Sequence, residues 1–280
     1  MPDPDWEGAP QCDAKGNAYV HVASNVSIPV VMKLDLSRDE AVTYRWHDKP
    51  RELAFMEFSV GSAGDVWMLG QATDAYWVVS FSSDGHEGSR TRLDLPSQFW
   101  PLRFAVFPDG SFLLSGYYAE GAPDDLEGTA FTGIFEPSGK LRYRLADKTE
   151  KVVPKVARMA PNEASAIIGP DGNIYVLRPH KIEVTSPVGE IVRELPFSKP
   201  DPKASSAQIW MARSRIAIEF LTARPDGKLE PSFLVLDDVS GVPVGTYKPP
   251  QGLGLLLCFT GNGFLLDRPR QGRITLVKAD

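Results

Sequence analysis

Four histidines (His21, His47, His86 and His180) and two cysteines (Cys12 and Cys258) are the side chains with most chemical scope in this chain of 280 residues. Their spacing does not assemble a site. There is no HExxH, no H-x-H pair and no Cys/His cluster, so the nitrogen and sulfur donor sets that hold zinc have no support. No G-x-S-x-G, S-x-x-K, phosphate-binding loop or dinucleotide fingerprint occurs, and the glycines punctuate turns. The acidic group Glu120, Asp124, Asp125 and Glu127 carries the oxygen donors that a hard divalent cation such as calcium takes; the alternative is a solvated acidic loop. The expectation is therefore no catalytic residue and no resident cofactor, with a divalent cation as the open alternative.

Bulk properties exclude further classes. Net charge is −6 and no long Lys/Arg block occurs, so no nucleic-acid partner is expected. No apolar run reaches 18 residues, so no membrane-spanning helix is expected. The opening MPDPDWEGAP is polar and lacks the apolar stretch of an export signal. Hydrophobic residues make up 42%, enough for a core. Glycine and proline number 24 each, which favours many short strands over long helices.

The elements that would position any site emerge from a repeat. Asp171-Gly172-Asn173-Ile174-Tyr175-Val176 is one copy of a turn followed by an apolar run. Lys15-Gly16-Asn17-Ala18-Tyr19-Val20, Ala63-Gly64-Asp65-Val66-Trp67-Met68, Asp109-Gly110-Ser111-Phe112-Leu113-Leu114 and Gly261-Asn262-Gly263-Phe264-Leu265-Leu266 are others. Arg213-Ser214-Arg215-Ile216-Ala217-Ile218 is a degenerate copy. The copies step by 48, 46, 62, 42 and 48 residues, and the long step is an insertion between Tyr117 and Ala130. A second turn follows nearly every copy, as at Ser82-Ser83-Asp84-Gly85 and Pro187-Val188-Gly189-Glu190. Turns between short apolar runs read as hairpins, so each unit is four antiparallel strands. A period near 45 residues made of strands is the signature of propeller blades. The fold class expected is all-β, a single six-bladed β-propeller over 1–280. Its blades fall at about 11–50, 51–98, 99–150, 151–200, 201–250 and 251–280. Five or seven blades, or a β-sandwich, are the alternatives.

The fourth unit, DGNIYVLRPHKIEVTSPVGEIVREL, resembles an NHL repeat, in which D-G-N-hydrophobic-Y-V is followed by a polar loop, R/K-I-x-V, a turn and an outer strand. The likeness is good there, partial in units one, two, three and six, and poor in five. It implies an NHL-like propeller, a group that includes enzymes, peptide binders and RNA binders. It also explains His180 as a residue of the repeat.

The last unit has three strands. Its outer strand is missing unless the N-terminus supplies it, either from residues around Trp6 or from a segment upstream of this sequence. Cys12 and Cys258 occupy the same position in neighbouring blades, a slot that holds Val60, Val106, Ile168 and Trp210 elsewhere. Either they form a disulfide that closes the ring, or each fills the slot as a small hydrophobe. Inner strands that diverge beyond bridging distance favour the second reading.

In a propeller, the loops between second and third strands and the links between blades gather on one face around the central channel. The candidates there are His21, Gln71, Tyr117, Tyr118, Arg178, His180, Glu219, Asp267 and Arg268, with Ser24, Asn25 and Thr73 alongside. Trp46, Trp100 and Trp210 fall near the blade links, whereas Trp67 and Trp77 read as core. Such a rim suits a protein, a peptide or a small polar ligand. The functional expectation is a monomeric, non-enzymatic binding propeller. A metal-dependent hydrolase or lyase in the central channel is the alternative. The trimmed-looking start and the missing strand point to an exported protein, periplasmic or secreted.

Overall fold

The computed structural model describes residues 6–22, 28–35, 38, 40–47, 53–72, 75–95, 99–119, 128–145, 151–152, 165–225, 227–250, 256–260, 263–268 and 273–277. Each repeat folds as an antiparallel sheet whose strands pair in chain order. The first sheet is β1 (Trp6–Cys12), β2 (Ala18–Val22), β3 (Val30–Asp35) and β4 (Glu40–Arg45). The second is β5 (Ala54–Val60), β6 (Val66–Ala72), β7 (Ala75–Phe81) and β8 (Glu87–Leu93). The third is β9 (Phe99–Val106), β10 (Phe112–Ala119), β11 (Gly128–Phe135) and β12 (Leu141–Leu145), with a short β13 (Lys151–Val152) also on β11. The fourth is β14 (Ala166–Ile168), β15 (Ile174–Arg178), β16 (Lys181–Thr185) and β17 (Ile191–Pro196). The fifth is β18 (Ser205–Ala212), β19 (Arg215–Ala223), β20 (Leu229–Asp237) and β21 (Pro243–Tyr247). The sixth holds β22 (Leu256–Phe259), β23 (Phe264–Arg268) and β24 (Arg273–Val277).

The chain is thus an all-β propeller of four-stranded antiparallel blades. Among the described residues five four-stranded blades are complete, against the six blades expected, and the remaining sheet has the three strands read for the last unit. Among the described residues the N-terminus does not complete the sixth. Residues around Trp6 instead form the inner strand of the first blade, with Gln11 opposite Tyr19 and Cys12 opposite Ala18. Pro10 is tolerated there because the register slips between Glu7 and Gln11, and inside a bulge the missing proline donor breaks no ladder bond.

The repeat motif is a hydrogen-bonded unit. Gly172 takes φ +77°, a conformation that costs glycine little. Asp171 then accepts from the Asn173 amide (3.2 Å), the Asn173 side chain (3.0 Å) and the Tyr175 hydroxyl (3.1 Å). The first blade repeats this, with Asp13 accepting from the Asn17 side chain at 2.6 Å and the Tyr19 hydroxyl at 3.0 Å. In the degenerate fifth copy the turn is shorter and Arg213, one residue before the glycine position, is the left-handed residue, φ 57°.

Blades pack face to face through apolar layers. Tyr19, Tyr44 and Trp46 meet Phe58 and Met68 between the first and second. Phe99, Phe104 and Phe112 meet Leu69 and Tyr76 between the second and third. Phe107 and Ile174 lie between the third and fourth, Tyr175 and Phe220 between the fourth and fifth, and Phe233 and Phe264 between the fifth and sixth. Burying a side chain of this size stabilises by about 1.5–3 kcal/mol, so these layers carry the ring. The seam between the sixth and first blades is filled instead by Ala18, Val20, Leu257, Cys258 and Leu265. Cys12 and Cys258 form a disulfide with Cα atoms 5.5 Å apart. The expected divergence beyond bridging distance fails at this seam, and neither cysteine is free. Among the described residues no helix is long and apolar enough to cross a membrane.

Candidate functional site

The chain enters each inner strand, leaves each second strand and enters each third strand on one face. That loop face therefore collects the first residues of β5 and β9 and the last residues of β2, β6 and β10. His21, near the end of β2, lies flat on Phe55 of β5, with centroids 3.9 Å apart and planes 10° apart. One blade further on, the Tyr76 hydroxyl donates to the Phe99 carbonyl, and the two rings meet edge-on at 5.9 Å. Phe99 packs on Tyr118 at 5.3 Å and on Phe131 at 5.6 Å. Trp100, next in the chain, is 37% exposed.

Gly116 positions that tryptophan. A Cβ at this residue would stand 2.0 Å from the Trp100 carbonyl oxygen. The register of β9 on β10 slips beside it, between Ser115 and Gly116, so a residue without a side chain lets the bulged inner strand in.

The predicted rim residues divide by environment. His21 and Gln71 are partly exposed at strand ends. Tyr117 is not at the rim: it is 3% exposed, in β10 opposite Trp100 and Ala130. Tyr118 is half-buried in the aromatic cluster, where burial raises its hydroxyl pKa. Arg178 is committed to an ion pair, its Nε 2.7 Å from Glu183 Oε2. Lys181 lies 3.0 Å from the same carboxylate. Burial would raise Glu183, but the Arg178 guanidinium and the Lys181 ammonium hold it below its usual range. His180 is exposed at the hairpin tip, where its carbonyl accepts from the Phe197 amide at 3.0 Å. That bond gives His180 a structural task. Asp267 and Arg268 sit in β23 opposite Ile274 and Arg273, and their side chains lie outside the described residues. So do Ser24, Asn25, Thr73 and the acidic group Glu120, Asp124, Asp125 and Glu127. Of the tryptophans placed near the blade links, Trp46 and Trp210 are core.

Glu219 is likewise not a rim residue. It is 7% exposed in mid-β19, opposite Phe233, and burial pushes its carboxyl up to about 7. A second acid within a strand, Glu57, partly exposed, was not singled out from the sequence. It stands at the bulge of β5 and burial pushes it to about 7, against a bond from the Phe58 amide. Its signal is a lone acid within the otherwise apolar inner strand AFMEFSV. The same pattern marks Gln11, Arg103 and Gln208. Each lies beside a bulge in its own inner strand, on the strands that surround the axis. Arg103 Nη1 donates to Ser115 Oγ at 3.1 Å.

The face thus offers stacking surface from blades one to three and an internally compensated ion pair on blade four, while Glu57 and Glu219 lie within their strands, each pushed up by burial to about 7. Among the described residues no three His, Cys, Asp or Glu side chains converge as a metal site.

Solved structures share the overall fold at low identity. The chain is similar to a protein of unknown function from Bacteroides caccae, with a TM-score of 0.52 at 12% identity over 94% of this chain and 90% of that one. It is also similar to apo AztD from Citrobacter koseri, with a TM-score of 0.50 at 9% identity over 99% and 83% of the two chains. The β-propeller domain of the Trilobed protease from Pyrococcus furiosus aligns at a TM-score of 0.49 and 10% identity over 97% and 84%. No protein-family model and no curated protein matches the chain.

Proposed function

We propose that the chain is a non-enzymatic, NHL-like propeller of six units, the last a three-stranded one. On this reading it binds a protein, a peptide or a small polar ligand on its loop face. The supporting observation is the aromatic row on that face. It runs from the His21–Phe55 stack through Phe99 and Tyr118 to the exposed Trp100. Rigid aromatic surface at a channel mouth supplies contact area at low entropic cost and is enriched among residues that dominate binding energy. The opposite face presents tight hairpin turns, such as those at Gly172 and Gly189. Random peptides displayed on phage and selected on the wild-type chain test this. Trp100→Ala should weaken the selected peptides about tenfold or more, whereas Val239→Ser, on a turn of the opposite face, should not. Peptides that bind Trp100→Ala as well as wild type overturn the assignment to this face.

A metal-dependent hydrolase or lyase in the channel is the second reading, favoured by the carboxyls of Glu57 and Glu219. A carboxyl that titrates near neutral pH suits general acid–base work. Elemental analysis of purified protein, with thermal melts in calcium and zinc, separates the readings. A stoichiometric divalent ion that raises the melting temperature and is lost in Glu57→Gln favours the enzyme.

A further inference from the structure

We infer that the Cys12–Cys258 disulfide is a redox-releasable lock on the ring, and that its reduction opens the seam between the first and sixth blades. Three consecutive residues of β1 each reach a different blade. Pro10 accepts, through its carbonyl, a hydrogen bond from Gln208 Nε2 of the fifth. Gln11 holds the second, donating to the Phe58 carbonyl at 2.6 Å and accepting from the Val60 amide at 3.0 Å. Cys12 is covalently joined to the sixth. β1 is therefore the strand on which the ring closes.

Among the described residues the other fastenings at its seam are side-chain packing alone, including that of Cys12 on the cluster of Phe259 and Phe264. Propellers commonly fasten their ring by completing the last blade with a strand from the other end of the chain; here β1 belongs wholly to the first sheet and β22–β24 gain no strand from it. The apolar layer is small and aliphatic, Ala18, Val20, Leu257 and Leu265 about the two cysteines. Every other interface holds at least one buried aromatic ring. The bridge closes a loop of sequence separation 246, and long loops are those whose cross-linking most restricts the unfolded chain.

The sulfurs are unequal. Cys12 is partly exposed and Cys258 fully buried. A dithiol reductant therefore attacks Cys12 Sγ, and Cys258 leaves as the first thiolate. The second thiol of the reductant then displaces Cys12. Two electrons and two protons pass to the cysteines, and the reductant leaves as its own disulfide. The lock forms where thiols are oxidised and opens on transfer to a reducing compartment.

The test compares the whole chain with and without dithiothreitol. Reduction should lower the melting temperature by about 10 °C, from the usual effect of long-loop disulfides in a chain of this size. Amide exchange should quicken in 6–22 and 256–268 and stay unchanged in 166–196, across the ring. A double Cys12→Ser, Cys258→Ser variant should match the reduced protein and ignore dithiothreitol. If that variant does not fold, the reduced wild type decides alone. Two titratable thiols in the unreduced protein, an unchanged melt, or exchange that quickens equally in every blade would each overturn the inference.

Discussion

Gln11 and Val60 join the first blade to the second: the Val60 amide donates to Gln11 Oε1 at 3.0 Å, while Gln11 Nε2 donates to the Phe58 carbonyl at 2.6 Å. One side-chain amide satisfies a donor and an acceptor on a neighbouring inner strand, as another strand would. Gln11→Ala leaves both groups without this partner and should cost about 1–3 kcal/mol. Gln11→Glu keeps the acceptor and loses the donor, so urea denaturation should place it between wild type and Gln11→Ala. Equal stability of all three would contradict the clamp.

Glu219 sets a pH dependence whose sign is opposite to that of a salt-bridged carboxylate. Its folded pKa, about 7, exceeds its ordinary value of 4.5. Between those values the folded state binds more protons than the unfolded state, so stability falls as pH rises through this window. Full ionisation costs about 3 kcal/mol. Glu219→Gln should therefore melt higher than wild type at pH 8, and the advantage should vanish by pH 4.5. A variant no more stable than wild type at pH 8 would contradict the assignment.

Tyr175 ties a turn to an outer strand, donating to Asp171 Oδ2 at 3.1 Å and accepting from Arg193 Nη2 at 2.6 Å. Tyr175→Phe keeps the ring and removes both bonds. It should cost about 1–3 kcal/mol, a fall of a few degrees in melting temperature. Tyr19→Phe should behave alike, because its hydroxyl meets Asp13 in the same way.

Gly116→Ala should be among the most damaging single substitutions. The added methyl would meet the Trp100 carbonyl carbon at 2.9 Å as well as its oxygen, and backbone cannot step aside as a side chain can. A loss of about 3 kcal/mol or more is expected from such overpacking, read by chemical denaturation. An unperturbed melt would show that the bulge in β9 relaxes freely.

Much of this architecture was legible because turn chemistry is local. The glycine and asparagine of Asp171-Gly172-Asn173 declare a turn, and the six copies declare a ring of blades. What could not be read depends on neighbours distant in sequence. Tyr117 and Tyr118 look alike as a polar aromatic pair ending a strand, yet the first is buried and the second half-open. Glu219 reads as a rim acid until its mid-strand place opposite Phe233 is seen to leave it only 7% exposed. Pro10 reads as a strand breaker until the slip in register absorbs it. The disulfide turned on the width of one seam, a Cα separation of 5.5 Å between residues far apart in sequence. Glu57 was legible in principle, as one acid in an apolar strand, but its significance comes from the ring that encloses it.

The loop face is the centre of the functional reading, and amide exchange with and without a selected peptide tests it most directly. Protection is expected in 18–22, 54–58, 99–103 and 115–118, the strand ends that carry His21, Phe55, Trp100 and Tyr118. No protection is expected in the turns at 138–140, 187–190 and 238–241. Protection confined to those turns, with the loop-face segments unchanged, would contradict the account.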